Sequence, residues 1–168
     1  MGQTAGTQVL GNVQREVLYL FDLAGIFPGY KVLVNVLLFI VSLVDCNREN
    51  RVIAQNILTE AEVRVLLPLL ENPTGCQQAV LQASYFCTSE FLLKSLLFSD
   101  ANTNPQWNKL VQEQRDRLHL AQQKKAMREE MRGVYNALAG LRQKLEPFGL
   151  TVRARRDGFY LALLVKGS

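Results

Sequence analysis

The sequence has few of the residues that carry chemistry. It holds one histidine, His119, and three cysteines, Cys46, Cys76 and Cys87. No CxxC pair occurs, and His119 lies far from the cysteines, so no zinc-ligand spacing is present. Ser84 and Ser89 have no histidine near them in sequence. Glu60 and Glu62 stand at i, i+2, where two carboxylates on a helix do not face each other. Gly25 to Gly29 (GIFPG) lacks the lysine and the serine or threonine of a phosphate-binding loop. These absences exclude the usual enzyme classes and leave no cofactor, metal ion or small-molecule substrate to expect. An odd cysteine number without a secretory leader points to a reducing compartment, cytoplasmic or nuclear. Long apolar runs are also missing. The longest, Val32 to Val44, is 13 residues, broken only by Asn35 and Ser42, against the roughly 20 that a spanning helix needs. The expectation is a buried segment and no membrane crossing.

The 168 residues suit one domain, or one with an appendage, and nearly half are hydrophobic. The net charge of +4 divides unevenly. Residues 1–100 carry 6 Lys/Arg against 9 Asp/Glu, net −3; residues 101–168 carry 13 against 6, net +7. An acidic apolar half is joined to a basic half, a pattern that implies a charged partner or contact between the halves.

Residues 1–11 are small and polar and read as a flexible terminus. Asn12 can cap a helix running to Leu23. Val32 to about Cys46 reads as a helix apolar on nearly every side, which must be covered on nearly every side. A polar corner, Asn47 to Asn50, leads to a short helix from Arg51 to Leu58. Thr59 and Glu62 form a T-x-x-E capping box for a helix from Glu60 to about Leu70. Glu71 to Gly75 stops it, and further helices follow from Cys76 to Cys87 and on to about Phe98.

The stretch VLVNVLLFIVSLVDCNRENRVIAQNILTEAEVRVLLPLLEN resembles one armadillo/HEAT-type repeat, and CQQAVLQASYFCTSEFLLKSLLF resembles the start of another. Pairing Leu38 with Leu81 gives an offset of 43 residues, and Ile53 with Leu93 gives 40, near the roughly 40–47 residues of such repeats. The resemblance covers residues 12–98. It implies a helical layer whose open ends are covered by the second half of the chain or by a partner.

Residues 100–105 compose a linker. From Gln106 to Leu145 the sequence favours one helix, flanked by Trp107 and Phe148 as packing residues. Its C-terminal part carries a heptad seam, Met127, Met131, Val134, Leu138, Leu141 and Leu145. A second stripe, Val111, Gln114, Leu118 and Ala121, is displaced from it. The seam can pair with another chain or dock on the chain's own repeats. Beyond Pro147, Asp157-Gly158 between two β-rich runs signals a hairpin of Leu150–Arg156 and Phe159–Val165.

The expected architecture is therefore mainly α: an armadillo-like layer (residues 12–99), a long basic heptad-containing helix (106–146) and a C-terminal β-hairpin (147–168). The expected function is that of a protein-interaction adaptor or complex subunit. It would dock a partner chain through the seam, with Arg132, Arg142 and Arg155 setting orientation. The alternative is nucleic-acid binding by phosphate neutralisation through the basic half, above all Arg153, Arg155 and Arg156. A third reading is a membrane-surface protein.

Overall fold

A computed structural model of the chain describes residues 7–9, 18–23, 25–88, 91, 92, 95 and 104–164. It corrects the expected fold class. The first half is not an armadillo-like helical layer but an antiparallel sheet, followed by helices and a second, smaller sheet. Strands β1 (Thr7–Val9), β2 (Leu18–Asp22), β3 (Tyr30–Asn35), β4 (Ile40–Asp45) and β5 (Arg51–Ile57) pair in that order as a five-stranded meander.

The segment expected as the all-apolar helix is the β3–β4 hairpin. Asn35 turns the chain: its side-chain oxygen accepts hydrogen bonds from the N–H groups of Leu37 and Leu38, at 3.0 and 2.9 Å. Phe39 completes the turn at φ 60°. Val32, Val34, Val41 and Leu43 point into the core with Tyr19 and Phe21, the period-two placement of a strand. The short helix expected over Arg51–Leu58 is β5, paired with β4 through a bulge at Leu43/Val44. The corner between them is a 3-10 turn, Cys46–Arg48, left through Glu49 and Asn50 in the left-handed region. Of the helix expected from Asn12, Leu18–Asp22 is strand and residues 12–17 lie outside the described residues, as does most of the segment towards Phe98.

The first α-helix among the described residues is α1 (Glu60–Glu71). Thr59 Oγ1 accepts from Glu62 N–H at 3.1 Å, and Glu62 Oε1 accepts from Thr59 N–H at 2.8 Å, so the capping box closes. This helix, rather than Val32–Val44, is covered on nearly every side: Val63, Val65, Leu66, Leu67, Leu69 and Leu70 are all buried. Strand β6 (Cys76–Gln77) and helix α2 (Gln78–Phe86) follow.

The expected long helix is three pieces: α3 (Pro105–Gln123), α4 (Met127–Glu130) and α5 (Arg132–Leu145). Lys125, at φ 57°, breaks it. The break lets each apolar stripe find its own surface. Trp107, Val111, Gln114, Leu118 and Ala121 are the buried positions of α3, which packs on α2. Helix α5 packs on α1, α2 and the strand after it.

Strands β7 (Leu150–Arg155) and β8 (Gly158–Leu163) form the C-terminal hairpin, and β6 adds to β8 to make a three-stranded antiparallel sheet in the order β6-β8-β7. The turn residues are Arg156 and Asp157, with Gly158 already in the strand. A Cβ at Gly158 would stand 2.1 Å from the Cys76 carbonyl oxygen. Glycine is required there by the close approach of β6.

Candidate nucleic-acid interface

Helix α5 has two unlike faces. Met131, just before it, and Val134, Leu138, Leu141 and Leu145 are at most 1% exposed. The heptad seam thus lies in the chain's own core, with Met127 half-buried at its edge. No apolar seam is left there for a partner helix. Opposite it, Arg132, Asn136, Ala139 and Gln143 are exposed, at steps of 4, 3 and 4 that place them on one face. No acidic residue occurs between Arg132 and Leu145.

The neighbouring polar groups of α5 are engaged. Arg142 Nε donates to the Val152 carbonyl at 2.7 Å, tying α5 to β7. Lys144 Nζ lies 2.7 Å from Glu62 Oε1, so one carboxylate oxygen holds both the start of α1 and the end of α5. Asn56 of β5 donates to the Lys144 carbonyl at 3.1 Å. A 3-10 turn, Glu146–Phe148, ends the helix with Phe148 buried and Gly149 at φ 74°.

The hairpin that follows α5 carries a second basic surface. Arg153, Arg155 and Arg156 are exposed. Arg155 donates to the Thr74 carbonyl and its guanidinium carbon stands 5.7 Å from the Tyr160 ring centre, which holds it over the hairpin. Tyr135 of α5 meets Phe159 of β8 edge to face, ring centres 6.3 Å apart. Helix and hairpin are thereby packed as one unit.

Of the residues singled out from sequence, the structure brings Arg132, Arg142, Arg153, Arg155 and Arg156 to helix α5 and the adjoining hairpin, and places the apolar seam inside. Asn136 and Gln143 were missed. Their signal was available: they occupy the positions opposite the seam, in a helix free of acidic residues.

His119 is exposed on α3, 3.3 Å from the Gln123 amide. Among the described residues no cluster of three or more His, Cys, Asp or Glu is placed to hold a metal ion. No helix among them is long and apolar enough to cross a membrane. Comparison of the chain with protein-family models, with curated proteins and with solved structures gives no match.

Proposed function

We propose that this protein binds duplex DNA, with α5 in the major groove and the β7–β8 hairpin against the phosphate backbone. The observation that carries this reading is the outward face of α5: exposed Arg132, Asn136 and Gln143, no acid, and three exposed arginines on the hairpin packed beside it. A helix about 10–12 Å across fits a major groove about 12 Å wide. The deep, narrow groove of duplex RNA would not admit it.

Topology supports the same reading. With α3 and α4 set aside, the order α1, β6, α2, α5, β7, β8, with β6 pairing to β8, resembles that of a winged helix-turn-helix, in which the second helix of the pair enters the groove. One departure is large. The pair is ordinarily joined by a turn of 3–4 residues; here residues 87–131, including α3 and α4, stand between α2 and α5.

The test is the salt dependence of duplex binding by the whole chain, compared with Arg153→Ala/Arg155→Ala/Arg156→Ala. Each phosphate contact contributes about 0.9 to the slope of log K against log salt. The triple variant is expected to lower that slope by up to about 2.7. Binding that is absent, or insensitive to both salt and the substitutions, refutes the reading.

A second reading, docking of another protein chain, is favoured by a separate observation. Leu37 and Leu38 in the β3–β4 turn and Val52, Ile53 and Ile57 on β5 are exposed, and β5 is an edge strand. Such an edge can accept an extended segment by strand addition.

A further inference from the structure

If α5 lies in a major groove, its outward side chains have a composition that does more than neutralise phosphate. We infer that Arg132, Asn136, Ala139 and Gln143 read base edges, and that the target is a short DNA element with guanine at the Arg132 end and A·T pairs beyond it. This rests on the reading of α5 as the groove-bound helix.

Three observations carry the inference. The side chains of Arg132, Asn136 and Gln143 take part in no hydrogen bond or ion pair with other described residues, whereas those of Arg142 and Lys144 beside them are committed to Val152 and Glu62. The uncommitted donors are therefore those on the outward face. Their chemistry is selective: arginine matches the O6/N7 pair of guanine, asparagine and glutamine match N6/N7 of adenine, and an alanine methyl packs on the thymine methyl. A carboxamide can also donate to a phosphate oxygen, but only a base edge uses its donor and its acceptor together. Finally, Ala139 at the middle of the face leaves no bulk to hold the helix away from the groove floor.

The spacing sets the length of the element. From Arg132 to Gln143 the helix rises about 16 Å at 1.5 Å per residue. That matches about five base-pair steps at roughly 3.4 Å each. The guanine contacted by Arg132 and the adenine contacted by Asn136 fall about two steps apart, with the Gln143 adenine about three steps further.

The experiment is selection of bound sequences from a random duplex pool by the full chain, repeated with Arg132→Ala, Asn136→Ala and Gln143→Ala. All three positions are exposed, and unchanged melting temperatures would show that the variants fold. The wild type should enrich a motif of about six base pairs containing guanine and adenine. Each variant should lose preference at one position by about tenfold or more while the others persist. Arg132→Lys should retain part of the guanine preference that Arg132→Ala loses. An enriched motif identical in wild type and variants overturns the inference. So does salt-dependent duplex binding with no enriched motif, although duplex binding itself then stands. Failure to bind any duplex removes both.

Discussion

Removing the Glu62 carboxylate should weaken two connections at once and reverse the effect of a second substitution. Oε1 of Glu62 accepts from Thr59 N–H at 2.8 Å and from Lys144 Nζ at 2.7 Å. In Glu62→Ala the first loss leaves a helix-start N–H without its partner, at a cost of about 1 kcal/mol. The second loss is smaller than for a fully buried pair, because the Lys144 side chain is 30% exposed and can rehydrate; it contributes about 1 kcal/mol. The sum, about 2 kcal/mol, lowers the urea midpoint by about 1 M for a slope near 2 kcal/mol/M. Gly140 makes the reasoning refutable. A Cβ there would stand 2.1 Å from Glu62 Oε2, and that carboxylate is held by two partners and cannot swing away freely. Gly140→Ala should therefore destabilise the wild type. In the Glu62→Ala background the space is open, and the same change should stabilise α5 by about 1 kcal/mol, the ordinary helix preference of alanine over glycine. Urea unfolding of the four proteins in this cycle measures both signs. If Gly140→Ala has the same effect in both backgrounds, within about 0.3 kcal/mol, Glu62 does not occupy the junction as described.

The remaining predictions concern the core. Leu138→Asp with Leu141→Asp places two carboxylates at positions that are 0% exposed; each costs several kcal/mol unpaired, so circular dichroism should show an unfolded chain. A cooperative melt retained by that variant would mean that the seam faces outward after all. Burial pushes the Cys76 thiol from 9.0 up to about 12. It pushes Cys87 up to about 11, with nearby Arg64 opposing part of the rise. Folding thus favours the neutral thiols. That contribution is complete below about pH 9 and is lost as pH rises through the folded-state values. The stability gap between wild type and Cys76→Ala/Cys87→Ala should narrow as pH rises from about 9 towards about 12, and a gap of constant size would refute it.

The physical signals that were legible in the sequence are those confined to a few residues. Thr59 and Glu62 announce the start of α1 because a capping box needs only four positions. Asp157-Gly158 announces the hairpin, although Gly158 answers to Cys76 across the sheet rather than to the turn. The signals that misled depend on distant cover. An apolar run looks the same whether it is a helix or two strands buried by other elements, and the β3–β4 turn, Val36 to Phe39, contains neither glycine nor proline. Only Asn35 and the many β-branched residues around it argued for strands. The same holds for α5. The seam of α5 was readable as apolar, but which surface covers it was not. Once α1 is seen to fill that place, the opposite face is the one left exposed.

The pairing of Cys76 with Phe159 and of Gln77 with Gly158 also sets a timetable. During synthesis β6 leaves the ribosome well before β8 exists. At about 5–20 residues per second, the intervening stretch takes on the order of ten seconds to make. Throughout that delay the nascent chain holds an unfinished sheet, with a thiol and a strand edge uncovered. Slowing translation between β6 and β8 would lengthen this exposure, and chaperone demand should rise with it.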